Sequence, residues 1–354
     1  QAMSNLQLSL AVLGGVILAA VVLYNAWATH KSAPRKADAS TTLPTADAAE
    51  RREPGFDGDL MGSVGEGGGT GAPPAPRAPD RRTGLDALID VVVPLVPQGE
   101  VSGDAVLAAM PGTRRVGSKP FAIEAQHATT VEWESPRPGQ RYRAVQAGVQ
   151  LANRHGALNE IEFSEFVLKV QALADAIHAL PEFPDMRHEV LRARELDQFA
   201  SSHDAQLGFT LRATQAAWSP GYVQQQAAHL GFVVGALPGR MVLPGAEGVA
   251  APLLTLMFDT QAALADDPEQ TALRDISLLL DVAHVPQDEQ PYQRMREVAQ
   301  ALAQAMDGVL TDDQGQPLAE ATLDAIGNDL ASLYVALAER DLPAGSGLAR
   351  RVFS

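Results

Sequence analysis

Residues 276–282 read Ile-Ser-Leu-Leu-Leu-Asp-Val, an apolar run of a length typical of a β-strand. Side chains of a strand point alternately to its two faces, so Ser277, Leu279 and Asp281 share one face. Burying an unpaired carboxylate is costly, so we expect this face to meet solvent and Leu279 to be exposed. The four remaining apolar side chains are expected to face helices.

The flanking segments predict an α+β domain around this strand. Leu253–Phe258 and Leu207–Leu211 read as further strands, and helices are expected to begin at Pro220, Pro291 and Pro317. By the same alternation, Thr255 and Met257 point away from the helices. Short strands with few helices indicate a largely antiparallel sheet with helices on one face.

The preceding part of the chain shows a similar order of elements. Asn159 and Glu162 form a capping-box pattern at the start of a strong helix. The tetrapeptide Gln-Ala-Leu-Ala occurs in that helix at residues 171–174 and again at 300–303. Either a tandem duplication or one larger mixed α+β domain explains this order. We predict a first α+β domain at 85–203, a second at 204–342 and a tail at 343–354.

The N-terminal region predicts a membrane anchor. Residues 6–27 are uncharged and apolar, and 22 helical residues span roughly 30 Å, one hydrocarbon core. Lys31, Arg35 and Lys36 follow the apolar run, which places that end in the cytoplasm and the N-terminus outside. The alternative is a cleavable signal peptide, which needs a basic region before the apolar run. None is present, which favours a single-pass anchor.

Residues 28–84 are predicted to be a disordered linker. The stretch 54–79 contains eight glycines and five prolines, and no sustained periodicity crosses it. Such a linker holds a folded domain near a membrane without fixing its orientation. It thereby raises the effective concentration of that domain for partners at the same surface.

Composition excludes several classes of function. The 354 residues include no cysteine, which excludes disulfides and thiolate chemistry. A net charge of −16 and an aromatic content of 5% argue against nucleic-acid binding. One local exception is residues 112–159, where seven basic residues stand against three acidic ones. That segment is either a docking site for an acidic tail or anionic membrane, or simply the solvated face of a sheet.

No catalytic constellation is found in the sequence. Gly112–Gly117 lacks the residue order of a phosphate loop, and His188-Glu189 lacks the second histidine of a zinc protease helix. The histidines show no metal-ligand spacing. We therefore predict no enzymatic activity, no catalytic residue, no metal site and no cofactor.

Three segments resemble the ZipA family of bacterial division proteins. They are Gly231–Gly235, the strand at 276–282, and Ala303–Leu318 with its sequence Met-Asp-Gly-Val-Leu-Thr-Asp-Asp-Gln at 306–314. The order of anchor, basic patch, Pro-rich tether and α+β domain is also similar to that family. The segment 85–202 departs from it, because the well-known short form has a longer tether there.

The resemblance implies a binding protein located at the division site of the bacterial inner membrane. Its N-terminus would be periplasmic, and its cytoplasmic domain would bind the C-terminal tail of FtsZ and anchor or stabilise the division ring. Matching the tail-binding strands of the family residue by residue gives a peptide-binding set of Leu237, Thr255, Met257, Ser277 and Leu279. The alternatives are an adaptor for another protein, or a small-molecule-sensing domain. Self-association is left open.

Overall fold

The computed structural model describes Arg35 and residues 84–246, 251–265, 267, 271–312 and 315–354. The predicted anchor at 6–27, the linker apart from Arg35 and Gly84, and Asp313-Gln314 of the family-like turn lie outside the described residues. Within the described part, none of the helices combines the length and hydropathy needed to cross a bilayer. Arg35 forms an isolated bridge with Trp218 and an ion pair with Asp307.

The described chain is an α+β structure with two principal antiparallel sheets. The first half contains β1 Asp90–Pro97, β2 Val101–Ser102, α1 Gly103–Ala108, β3 Arg115–Val116, β4 Lys119–His127, β5 Trp133–Glu134, β6 Arg141–Gln150, β7 Ala152–Asn153, β8 Gly156–Ala157, α2 Glu160–Ala176, β9 Ala179–Pro181 and α3 Met186–His203. Its main path runs β3-β4-β6-β1-β9, with β2 added to β6 and β5 to β4. The short strands β7 and β8 pair with each other.

The second half builds a six-stranded sheet. It contains β10 Gln206–Ala213, α4 Pro220–His229, β11 Val233–Val234, β12 Arg240–Leu243, β13 Leu254–Met257, α5 Thr260–Ala263, β14 Asp275–Asp281, α6 Pro291–Met306, β15 Gly308–Thr311, α7 Glu320–Glu339 and α8 Gly347–Val352. Two 3-10 turns, Val282–His284 and Gln287–Glu289, lie between β14 and α6. The strand order is β11-β12-β13-β14-β10-β15.

The two sheets share one topology. In each, the first long strand (β1 or β10) lies beside the last strand of that sheet (β9 or β15). On its other side lie strands that come between those two along the chain. In each, a long helix (α2 or α6) precedes that last strand, and it carries the Gln-Ala-Leu-Ala tetrapeptide. The leucines of the two tetrapeptides, Leu173 and Leu302, are both buried. The position of the repeat thus follows the position of equivalent helices.

The capping box predicted for α2 is present and does more than end the helix. The Asn159 side chain accepts from the N–H of Glu162, and the Glu162 carboxylate accepts from the N–H of Asn159. The same carboxylate also accepts from the N–H of Ser118 at 3.0 Å and lies 3.9 Å from the buried Lys119 ammonium. It therefore joins α2 to the turn between β3 and β4.

The last long helix begins at Glu320, so the predicted start at Pro317 was wrong. The N–H of Leu318 donates to the carbonyl of Leu310 at 3.0 Å, and Thr311 bridges Pro317. These contacts keep the backbone extended beside β15 for a few residues, which delays the helix. Residues 343–354, predicted as a tail, contain α8.

The two halves have separate hydrophobic cores that meet at the C-terminal end. One core fills the space between the first sheet, α2 and α3, and the other lies beneath the second sheet and α6. Ala349, Val352 and Phe353 of the C-terminal segment are fully buried in the first core. Arg154 adds ion pairs across the halves to Asp204 and Asp281. The division of the chain at residues 203 and 204 stays a prediction.

Candidate functional site: the open face of the second sheet

The side chains of β14, in the middle of the second sheet, alternate between a buried and a more exposed side, as the sequence predicts. Ile276, Leu278 and Leu280 are at most 4% exposed, whereas Leu279 is 36% exposed. Asp281 lies on the same side as Leu279, where its carboxylate meets the Arg154 guanidinium at 2.9 Å. Solvent and a cationic partner thus explain how a carboxylate is accommodated at the end of an apolar strand.

The neighbouring strand β13 shows the same alternation. Leu254 and Leu256 are buried, while Thr255 and Met257 are half-buried. In the ladder between the strands, Thr255 lies opposite Leu279 and Met257 lies opposite Ser277. Residues directly opposite each other share a face of the sheet. Four of the five predicted peptide-binding residues therefore form one contiguous block.

These pairs continue across the sheet as two parallel rows. One row runs Val242, Thr255, Leu279, Gly208, and the other runs Arg240, Met257, Ser277, Thr210. We call these eight residues the open face. The opposite side of the sheet is the one that α6 covers through its contacts with β10, β14 and β15.

Leu237 stands apart from that block. It lies in the turn that precedes β12, where its carbonyl accepts from the N–H of Arg240 at 3.2 Å. Its side chain is 56% exposed. The turn is at the β12 end of the second row, so Leu237 borders the open face rather than belonging to the ladder.

Gly208 gives the open face its shape. A Cβ atom at this position would approach Cδ2 of Leu279 to 3.2 Å, so the leucine side chain lies over the bare glycine. Because Gly208 has no side chain, the surface of the sheet is lower at this position, beside the apolar Leu279 side chain. The sequence does not single out this glycine, because nothing local to residues 206–213 indicates which strand lies beside it.

Arg240 and Val242 were also missed as members of the site. The signal that would have found them is the alternation of Arg240-Met241-Val242-Leu243 between a glycine and a proline, which indicates a short strand. Met241 and Leu243 are buried, so Arg240 and Val242 belong to the outer side. The Arg240 guanidinium lies 3.7 Å from Sδ of Met257.

Apart from Arg240, the charged side chains lie at the borders of the open face. Arg212 and Asp275 pair at 3.0 Å beyond one end of the rows, and Asp281 pairs with Arg154 beyond the other. Hydrogen bonds to Asp204 and Asp281 raise the pKa of Arg154, so this guanidinium stays charged. Arg240 is the one ionisable side chain among the eight residues. The surface is therefore suited to apolar contact and to strand-like peptides, and it offers no acid–base pair.

The equivalent face of the first sheet has a different character. Glu124 of β4 lies opposite Gln146 of β6, and the two side chains hydrogen bond at 2.8 Å. Gly148 of β6 is covered by Leu85, whose Cδ2 atom would lie 2.4 Å from an added Cβ. This side is polar and partly covered. The shared topology thus does not produce two copies of the open face.

In the residues that the structure describes, no group of three or more histidine and carboxylate side chains is placed to hold a metal ion. His284 and Asp281 approach to 3.6 Å, but Asp281 is already shared with Arg154. The ion pair between Arg154 and Asp281 connects the two halves.

Comparison with known proteins finds a family match within the second half of the chain. Residues 257–329 match the model of a family described as ZipA, C-terminal FtsZ-binding domain. The matched segment includes Met257, Ser277 and Leu279 of the open face, together with α6 and β15. A search of curated proteins finds no match to the chain. The match of residues 257–329 supports a protein of the ZipA family, and this domain indicates an FtsZ-binding role in cell division.

Proposed function

We propose that the chain is a non-enzymatic inner-membrane tether that binds the C-terminal tail of FtsZ and anchors or stabilises the division ring. The observation that carries this proposal is the open face with the half-exposed Leu279 at its centre, within the segment that matches the FtsZ-binding family. The proposed contact set is Leu237, Thr255, Met257, Ser277 and Leu279.

The chemistry of the open face supports a small apolar interface. Met257 and Leu279 supply flexible and branched apolar groups, and Thr255 and Ser277 supply short hydroxyl side chains between them. A methionine adapts its shape to a bound peptide. An interface of this kind is expected to bind with micromolar strength, about −8 kcal/mol.

The tether part of the proposal depends on the sequence of the N-terminal region. Residues 6–27 would cross the inner membrane with the N-terminus in the periplasm, and residues 28–84 would let the folded part reach FtsZ in the cytoplasm. A flexible chain of 57 residues has a root-mean-square reach of about 40 Å. Membrane attachment then raises the local concentration of the open face beside the membrane.

We also propose that residues 85–203 and 204–342 are two copies of one domain. Their matching strand order, equivalent helices and shared Gln-Ala-Leu-Ala position support this proposal. The copies have diverged in function, because the outer side of the first sheet is polar where the second is apolar. Binding of the FtsZ tail is assigned to the second copy.

The experiment is a titration of a fluorescently labelled FtsZ C-terminal peptide with the purified chain, followed by anisotropy. Saturable binding in the micromolar range supports the proposal. A peptide with the same composition in scrambled order is the matched control. Absence of binding at concentrations up to about 100 µM, above the micromolar range expected for this interface, would instead favour an adaptor for another cytoplasmic partner.

A further inference from the structure

A cavity of about 360 Å³ lies on the first sheet, away from the open face. It is situated at the outer edge of β4, between the strands β3 and β5. Its apolar lining includes Met110, Pro111, Pro120, Phe121, Ile123 and Pro136. Arg114 and Ser135 bring polar groups to the same space. No part of the proposed FtsZ contact uses these residues.

The edge of β4 is uncovered at this cavity. The strand β3 pairs with β4 only at Lys119 and Pro120, and β5 pairs only at Ala125 and Gln126. The N–H of Phe121 donates to Arg114, away from β6, at 3.0 Å. Since backbone groups alternate in direction along a strand, the N–H and carbonyl of Ile123 also point away from β6.

Between β3 and β5, no described strand pairs with Ile123 on this side. An unpaired strand edge is a template for an extended chain, because it offers a donor and an acceptor at the spacing of a β-ladder. The gap is short, so it suits a few residues of peptide rather than a long strand. The neighbouring apolar side chains would receive the peptide side chain that points inward.

Charge indicates which peptide the cavity would take. The Arg114 side chain is exposed and makes no hydrogen bond or ion pair with the residues that the structure describes. The other charged lining groups are occupied. Glu124 accepts from the N–H of Leu85 and from Gln146, and Arg351 donates to Asp90 and to the carbonyl of Gly84. Arg114 is thus the uncompensated charge of the site.

We propose that the first sheet binds a short, extended, acidic peptide segment of a partner protein at the open edge of β4. The peptide backbone would pair with Ile123, a side chain would enter the apolar cavity, and a carboxylate would meet Arg114. A charge-assisted hydrogen bond to arginine is stronger than a neutral one, which explains the preference for acidic sequences. This gives the first copy of the domain a binding role distinct from that of the second.

The test uses the full chain, purified in detergent, and a fluorescein-labelled peptide with the sequence Val-Asp-Val-Glu-Val as probe. Alternating residues place the valines on one side of the extended peptide and the carboxylates on the other. We expect saturable binding that the substitution Arg114→Glu weakens about tenfold or more, as for loss of a charged hydrogen bond. Arg141→Glu is the matched control, because Arg141 is exposed and lies outside the cavity.

Two further comparisons separate edge pairing from general attraction. A peptide N-methylated at its central valine cannot complete the ladder with Ile123, so it should bind about tenfold more weakly or worse. Leu279→Asp should leave probe binding unchanged, which distinguishes this site from the FtsZ contact. The proposal would be overturned by any of three results. These are an equal loss of probe affinity with Arg114→Glu and Arg141→Glu, full binding of the N-methylated peptide, and no binding of the probe up to about 1 mM.

Discussion

Substitution of Arg351 by glutamine tests whether the C-terminal helix is an integral part of the first hydrophobic core. Asp90, at the start of β1, is fully buried, and its carboxylate accepts from the N–H of Asp86 at 2.9 Å and from Arg351 at 2.5 Å. Arg351 lies on α8, more than 250 residues later in the chain. Arg351→Gln leaves the buried Asp90 carboxylate without its cationic partner.

The expected loss of stability follows from the burial of the pair. Removing one partner of a buried ion pair costs roughly 3–5 kcal/mol. The Arg351 side chain is 22% exposed, so we expect a value near the lower end, about 3 kcal/mol at neutral pH. The helix α8 should loosen together with the first core, since Val352 and Phe353 are buried there.

The same substitution predicts a dependence on pH. Burial raises the pKa of Asp90 above its ordinary value of 3.8, and Arg351 lowers it. Without Arg351 the pKa of the folded state lies higher still, so the folded protein takes up a proton before the unfolded chain does. The loss of stability caused by Arg351→Gln is therefore fully present above the pKa of Asp90 in the folded variant. It shrinks as the pH falls through that pKa toward 3.8.

Urea unfolding of both proteins at neutral and at mildly acidic pH measures these effects. Arg350→Gln is the matched control, because Arg350 donates to the carbonyl of Gly345 and reaches no buried carboxylate. Arg350→Gln should lower the free energy of unfolding by about 1 kcal/mol, the contribution of one hydrogen bond. Equal losses for the two variants, or a deficit of Arg351→Gln that does not shrink on acidification, would refute the reasoning.

Three further predictions concern the two halves of the chain. Glu162→Gln should lower the free energy of unfolding by about 3 kcal/mol, because it leaves the buried Lys119 ammonium without a carboxylate beside it. Glu165→Gln, at a half-exposed carboxylate of the same helix, should cost less than 1 kcal/mol, and chemical denaturation compares the two variants. Leu279→Ala should weaken FtsZ peptide binding by about 0.5–1 kcal/mol, measured by calorimetry. Burial of a whole leucine side chain contributes about 1.5–3 kcal/mol, and 36% of this side chain is exposed and available to the peptide. Raising the salt concentration to about 0.5 M should change that affinity by less than about threefold, because the open face carries little charge; a steep decline would contradict an apolar interface.

The parts of the fold that sequence predicted well are those set by local rules. The capping box at Asn159 and Glu162 and the alternation along β14 depend on residues within one helical turn or one strand. The predicted exposure of Leu279 follows from the neighbouring Asp281 alone. Both Gln-Ala-Leu-Ala segments lie on helices, as predicted, whereas the duplication inferred from them stays a prediction.

What sequence missed depends on contacts distant along the chain. The strand Arg240–Leu243 is only four residues long, and its role becomes visible only beside β13. The helix Gly347–Val352 is too short to give a periodic signal, and it is stabilised by burial in a core formed mainly by residues between Ile89 and Ala200. Strand order and register likewise decide that Gly208 lies beneath Leu279. No local pattern contains that information.

The most direct test of the central claim compares the affinity of the FtsZ C-terminal peptide for Leu279→Asp and Leu180→Asp. Leu180 is an exposed leucine of the first sheet, 72% accessible, and serves as a matched control for placing a carboxylate on an apolar strand position. We predict that Leu279→Asp abolishes saturable binding while Leu180→Asp binds as the unmodified chain does. Unchanged binding by Leu279→Asp would contradict the assignment of the FtsZ tail to the open face.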